Sequence, residues 1–431
     1  MEREKKDTMK ETKKSGHEKN WKEYTATVED IERFLSDHVV LRRNVVTGRT
    51  ECRIPESDVF ADWMAEGLPT DQWLPISDRI VNTLWRALSK TKKVRAQDIH
   101  RVIDSDFSPD YHPLRFYLEH LPPWNGDDYI LAMSVTVSVK GPVEEQMLFA
   151  QYLKKWLVGM VAGWIDPTVV NNVILVLIGE QGSYKTTWFN YLLPPELRQY
   201  FRVKTNSNHT SKDDLLALTQ YGLVCYEELD TMRPSELNQL KSAVTMTSVD
   251  ERIPYDRYPD HRPHIASFCG TGNNLQFLCD PTGNRRWLPF EVASIDSPRE
   301  HPFDYEGIYA QAYTLYQQGF QYWFSKAETE QLAEHNQQFE TPHIEQEIVD
   351  VFFRQPVGGE TGEFMPVSRA LQIIGGVITQ HVSLSLLGQA FAAQGFRARR
   401  TKHSRGYIVV QRPANEIKER LTMLALDDSA F

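Results

Sequence analysis

Nine residues, Gly179-Glu180-Gln181-Gly182-Ser183-Tyr184-Lys185-Thr186-Thr187, bring together two glycines, a lysine and two threonines. Such a run can hold a polyphosphate. Glycines let backbone N–H groups converge on phosphate oxygens, and a helix opening at the lysine adds its positive dipole end. Lys185 would reach the β- and γ-phosphates, and the Thr186 hydroxyl would ligate Mg²⁺. The run departs from the usual spacing at one place, because Tyr184 stands where a glycine ordinarily precedes the lysine. Taken alone, it also fits a glycine-rich turn in an ordinary α/β unit.

Three further clusters follow in order. Glu227-Glu228 closes the apolar run Leu223-Val224-Cys225-Tyr226, 42 residues after Lys185, with Asp230 close behind. Two acids at a strand end beside a phosphate loop can divide the work. One holds the metal through water, and the other polarises the attacking water. Glu227 is assigned to the metal and Glu228 to the base. Ile265 to Gly272 then reads as a strand ending in small residues, followed by Asn273. In ring ATPases an amide there senses the γ-phosphate or orients water; capping a turn is its plainer use. Finally, Arg285 and Arg286 precede the run Trp287 to Phe290, with Arg286 13 residues beyond Asn273. An arginine so placed can enter a neighbouring subunit's nucleotide site as a finger. Arg286 is the first choice and Arg285 the reserve, with a structural ion pair as the alternative.

These residues need a rigid frame. Val173 to Val292 alternates buried-strand runs with amphipathic helices, the pattern of an α/β domain with a largely parallel sheet. The phosphate loop falls between the strand Val173–Ile178 and a helix carrying Trp188, Phe189, Tyr191 and Leu192, which Pro194-Pro195 closes. A charged, disordered tail is expected over residues 1–22, and a mainly helical N-terminal domain over 23–125. Val28, Ile31, Phe34 and Leu35 share one helical face, as do Ile80, Leu84, Trp85 and Leu88. Val39-Val40-Leu41 and Val45-Val46 make a plausible strand pair turned at Thr47-Gly48. The ATPase domain with its leading helices is set at 126–295, a helical linker at 296–342, and a small C-terminal domain at 343–431.

Composition bounds the rest. A chain of 431 residues suggests two to four domains. Its 41% hydrophobic and 25% charged content excludes collagen-like, wholly disordered and coiled-coil classes. Mean hydropathy is −0.47, and no apolar run approaches the roughly 20 residues that span a bilayer. No apolar leader opens the chain, and the four cysteines form no CxxC pair, so reduced thiols and a cytoplasmic location are expected. A net charge of −10 argues against a uniformly basic surface, yet leaves room for a local nucleic-acid channel.

Taken together, the loop, the paired acids, Thr271-Gly272-Asn273 and Gly283-Asn284-Arg285-Arg286-Trp287 resemble superfamily 3 helicases, the AAA+ ATPases of small viruses and mobile elements. The closer resemblance is to the virulence-associated protein E family of phages and genomic islands. His112-Pro113-Leu114 through Leu121-Pro122-Pro123-Trp124-Asn125-Gly126 matches the run that precedes the ATPase in that family. The resemblance covers roughly residues 100 to 295. It implies a P-loop AAA+-like parallel-sheet core and a hexameric, ATP- and Mg²⁺-dependent DNA helicase or translocase serving element replication. The family's primase module is not evident in the 150 residues before the ATPase.

In superfamily 3 rings a β-hairpin between the acids and the sensor asparagine tracks single-stranded DNA in the central channel. Here that interval carries Arg252, Arg257, Tyr258 and Arg262, cations and an aromatic suited to phosphates and stacked bases. Near the C-terminus, helices followed by a hairpin suggest a winged helix whose basic wing, with Arg399, Arg400 and Lys402, meets DNA. A nucleotide-switched DNA-binding initiator or loader, and a defence or signalling ATPase that does not translocate, are the rival functions.

Overall fold

The computed structural model describes residues 25–427 except 68, 70–71, 205–210, 252–259, 279–283, 342–343, 379–381 and 402–403. The chain divides into two compact units, one ending at Phe339 and the other beginning at Glu340. The first unit opens with α1 (Val28–His38), β1 (Val40–Asn44), β2 (Arg49–Arg53), α2 (Ala61–Ala65), β3 (Trp73–Pro75), α3 (Asp78–Leu88), α4 (Ala96–Ile103) and β4 (Asp110–Tyr111). It continues through α5 (Pro113–Glu119), α6 (Tyr129–Ser134), β5 (Val137–Val139), α7 (Val143–Ile165), β6 (Ile174–Ile178), α8 (Lys185–Leu192), β7 (Phe201–Lys204), α9 (Lys212–Gln220) and β8 (Leu223–Tyr226). α10 (Pro234–Val244), β9 (Ser248–Glu251), β10 (Asp260–Pro263), β11 (Ser267–Gly272), β12 (Trp287–Ile295), α11 (Tyr305–Gln317) and α12 (Lys326–Asn336) complete it.

Its centre is a six-stranded sheet in the order β5-β12-β6-β11-β8-β7. Strands β12, β6, β11, β8 and β7 run parallel, and β5 adds an antiparallel edge. All five residues of β6 are buried, as expected of a strand covered on both faces. Leu175 and Leu177 pack with Phe149 and Trp156 of α7 on one face. Ile174, Val176 and Ile178 pack with Leu237 and Leu240 of α10 on the other. The Trp156 indole N–H donates to the Phe268 carbonyl at 3.0 Å, which fixes α7 against β11 without leaving a buried donor unpaired.

Helices make up most of the regular structure in the N-terminal region, and a small sheet accompanies them. That region carries a four-stranded sheet, in the order β3-β2-β1-β4, beside α1, α3 and α4. Its strands are two to five residues long, too short to impress a period on the sequence. A strand pair is present, but its second member starts at Arg49 rather than Val45. The Asn44 side-chain oxygen accepts from the amides of Val46 and Thr47, both at 3.1 Å, and so turns the chain where the valines suggest a strand.

The helical linker expected over 296–342 is not a separate segment, because α11 and α12 lie within the first unit, which runs to Phe339. Ile308, Tyr309 and Ala312 of α11 join the main core, and the Tyr309 hydroxyl donates to the Leu192 carbonyl at 2.9 Å. That buried aromatic face is what makes α11 part of the first unit.

In the second unit, α13 (Ile344–Phe352), β13 (Phe353–Arg354) and β14 (Glu363–Pro366) lead to α14 (Val367–Gly375) and α15 (Leu384–Ala393). The hairpin of β15 (Ala398–Arg400) and β16 (Arg405–Gln411) and a final helix α16 (Ala414–Asp427) follow. β16 pairs antiparallel with β13, β14 and β15. Phe391 of α15 stacks on Tyr407 of β16, ring centroids 5.1 Å apart, within the core of this unit. Among the described residues no helix is long and apolar enough to cross a membrane.

Candidate functional site

Strands β6, β11 and β8 are neighbours in the sheet and parallel, so their C-terminal ends lie side by side. The glycine loop 179–184 leaves β6, Asn273 leaves β11, and Glu227-Glu228 leave β8. The edge formed by C-terminal strand ends is where open α/β sheets receive ligands. A cleft of about 380 Å³ opens there, lined by Gly182 through Thr187 together with Glu227, Glu228, Thr271 and Asn273.

The loop's shape depends on particular residues. A Cβ on Gly179 would sit 3.0 Å from the Val292 carbonyl oxygen, tighter than an ordinary contact, so a side chain there would press on β12. Gly182 has φ +84°, which glycine adopts without penalty. Tyr184 takes φ +60°, ψ +11°, so the tyrosine keeps the left-handed turn that a glycine at this position would supply. The other described non-glycine residue with positive φ is Glu228, at +54°. Both lie in this cleft. Each such conformation costs on the order of 1–3 kcal/mol, and strain of this kind gathers at functional sites. Among the described residues, the amides of Glu180, Gln181 and Gly182 donate to no backbone carbonyl and so remain available to an anion.

Side-chain bonds tie the clusters together. The Lys185 ammonium is buried and donates to the carbonyls of Gly179 at 2.7 Å and Glu180 at 2.6 Å, and to the Ser183 hydroxyl at 3.2 Å. It also lies 3.5 Å from the Asn273 side-chain oxygen, at the limit of a hydrogen bond. Burial lowers its pKa from the ordinary lysine value, and the Asp230 carboxylate opposes that shift. The Thr186 hydroxyl donates to the Glu227 carboxylate at 2.9 Å, while the Glu227 amide bonds the Lys204 carbonyl at the end of β7. Glu228 projects into solvent at the cleft rim.

Asp230 is the residue the motif reading left without a role. Its two carboxylate oxygens accept from the amides of Asn273 and Asn274, each at 3.1 Å. It therefore locks the corner after β11 to the turn after β8, and faces Lys185 as well. The available signal was a third acid three positions after Glu227. Asp230→Asn puts an amide N–H where one of these N–H groups needs an acceptor. Any ATP turnover by this site should fall about tenfold with little change in melting temperature, the loss of one charge-assisted bond to a partly exposed group. Unchanged turnover would assign Asp230 to the turn alone.

Arg285 and Arg286 are not brought into this cleft. They precede β12, whose Trp287 pairs with Ile174 at the start of β6, whereas Glu291 pairs with Ile178 beside the loop. Four strand steps, roughly 13 Å, separate those edges. Among the described residues neither guanidinium has a carboxylate partner. Burial, then repulsion from Arg285, shifts Arg286 down from its ordinary range.

Of the expected DNA contacts, Arg252, Arg257, Tyr258 and Lys402 lie outside the described residues. Arg262 requires a correction. In β10 it pairs with buried Val249, is itself only 6% exposed, and donates to the carbonyls of Val45 and Val46 at 2.7 and 2.8 Å. Its guanidinium fastens the β9–β10 hairpin to the β1–β2 turn and is not offered to a phosphate. Arg399 and Arg400 are exposed on β15 and have no carboxylate partner among the described residues.

No curated protein matches the sequence. Among solved structures, the apo structure of the NrS-1 C-terminal region (residues 305–718) aligns with TM-score 0.47 and 11% identity, over 88% of this chain and 98% of that one. An A-form apo structure of the same region gives TM-score 0.46 and 12% identity at the same coverage. Similarity at this level identifies no activity. The model of the virulence-associated protein E-like domain matches residues 118–341, which include the six-stranded sheet, the glycine loop and the paired acids, and this chain belongs to that family.

Proposed function

We propose that the chain is an ATP-driven helicase or translocase of the superfamily 3/AAA+ type, acting on DNA in the replication of a phage or mobile element. One observation carries most of this. The glycine loop, Lys185, the Thr186–Glu227 pair, Glu228 and Asn273 meet in one cleft at the ends of three adjacent parallel strands. Membership of the virulence-associated protein E-like family supports the link to mobile elements.

In this reading the free loop amides and Lys185 take the phosphates of ATP, the ammonium exchanging neutral carbonyls for phosphate oxygens. Thr186 and Glu227 fit Mg²⁺. They are hard oxygen donors 2.9 Å apart, and Mg²⁺ beside a nucleotide needs only one or two carboxylates because phosphates and waters supply the rest. When bound, the metal neutralises charge between the β- and γ-phosphates. Glu228 orients the attacking water and takes its proton, and Asn273 stands beside Lys185 to register the terminal phosphate.

Arg286, with Arg285 in reserve, would serve the next subunit of a homo-oligomeric ring, a hexamer by family analogy. Single-stranded DNA would pass through its channel against the β9–β10 hairpin. The second unit's helix α13, strand β14, helices α14 and α15 and hairpin β15–β16 follow the order of a winged helix, with β13 an added two-residue strand and Arg399 and Arg400 on the wing.

DNA-stimulated ATP hydrolysis and ATP-dependent strand displacement by the full chain test this. Glu228→Gln should bind ATP yet hydrolyse it at least a hundredfold more slowly, because the amide keeps the shape and loses the base. If Glu227→Gln shows that phenotype instead, the two acids exchange roles. Hydrolysis without strand displacement would move the protein to the initiator or loader class, and hydrolysis indifferent to DNA would remove nucleic acid from its function.

A further inference from the structure

Tyr184 is one member of the loop whose side chain the chemistry above leaves without a task. Its left-handed backbone is one that glycine would take freely, so the loop's path alone does not call for a tyrosine. The side chain nevertheless lines the cleft and stays 46% exposed. Three neighbouring donors are already engaged. Ser183 donates its hydroxyl to the Glu180 carbonyl at 2.8 Å, Thr186 donates to Glu227, and the Lys185 ammonium spans the carbonyls of Gly179 and Glu180. Among the described residues the Tyr184 phenol donates to none. Phenols are donors at neutral pH, and an O–H bonded to an ionised oxygen is among the stronger hydrogen bonds.

We propose that Tyr184 contacts the bound nucleotide through its side chain, its phenol donating to an oxygen of the terminal phosphate, so that the loop itself distinguishes a nucleoside triphosphate from a diphosphate. This rests on the cleft's assignment to ATP. A glycine at this position supplies only an amide, which meets both nucleotides alike. The tyrosine adds a donor that a diphosphate leaves unsatisfied, and that differential contact offsets its strained backbone.

The test compares binding of a non-hydrolysable ATP analogue and of ADP, both with Mg²⁺, to the full chain and three variants. Tyr184→Phe should weaken the analogue about tenfold, the low end for a bond to a charged acceptor, and leave ADP within twofold. Tyr184→Gly should show the same selective loss while melting no lower than wild type without nucleotide, since the left-handed strain is relieved. The proposal is overturned if the Phe variant binds both nucleotides as wild type does, or loses both equally. Lys185→Ala separates the levels. If it loses the analogue while Tyr184→Phe does not, only the phenol contact fails. If it binds as tightly as wild type, the ATP site itself is misassigned and the phenol contact falls with it.

Discussion

Lys185→Ala is expected to abolish ATP turnover and to weaken nucleotide binding by at least a hundredfold. Among the described residues Lys185 is the only cation lining the cleft, so nothing nearby can replace its charge on the β- and γ-phosphates. Each bond from an ammonium to an ionised oxygen contributes about 1.5–3 kcal/mol net, and Lys185 can make more than one. Its position also favours the exchange. Burial works against the charged form, and a polyphosphate would reverse that by placing anionic oxygens where carbonyls now serve. The substitution leaves the Gly179 and Glu180 carbonyls short of a donor, so the melting temperature must be read beside the assay. A folded Lys185→Ala protein that hydrolyses ATP at the wild-type rate would dismiss the phosphate-loop assignment.

How far the sequence could be read depends on whether each feature is local. Ile174–Ile178, the loop and the first turn of α8 form one continuous stretch, and strand–glycine–lysine order is visible without any tertiary contact. The same holds for Glu227-Glu228 after β8 and Asn273 after β11, because β-branched and apolar runs ending in polar residues mark strand ends. That these three ends are adjacent follows from strand order, which the residues do not spell out. The Asp230 bonds to the Asn273 and Asn274 amides therefore escaped notice, since they join segments 43 and 44 residues apart.

Arg262 shows the opposite error. Residue type and the nearby Tyr258 suggest a DNA contact, yet pairing with Val249 sets the Arg262 side chain on the buried face, where two carbonyls 216 and 217 residues away receive it. A register decision of one residue separates those outcomes, as it placed His261 outward beside Asp250. Tyr184 is a third kind of case. A pattern requiring glycine rejects the loop, whereas the backbone accepts a tyrosine at φ +60° at a tolerable cost.

Arg286→Ala is expected to lower ATP turnover on the order of 10³-fold while sparing nucleotide binding to the isolated subunit, as loss of a finger acting in trans should. Geometry within one chain favours trans action. Arg286 enters β12 at the edge of the sheet away from its own phosphate loop, four strand steps from Glu291, and an arginine side chain cannot cover that distance. With no carboxylate partner among the described residues, neither Arg285 nor Arg286 is spent on a local ion pair. Mixing decides the matter. Arg286→Ala subunits keep an intact loop, and Lys185→Ala subunits keep an intact finger, so co-assembled rings should regain partial activity at interfaces that pair the two. Subunit exchange can be followed independently by fluorescence transfer between labelled chains. Should co-assembled mixtures stay inactive, and Arg285→Ala mixtures likewise, the arginines act within their own subunit through some rearrangement of β12, and a shared catalytic site between neighbours is ruled out. Recovery with Arg285→Ala but not with Arg286→Ala would instead name Arg285 as the finger, leaving Arg286 to hold the turn that opens β12.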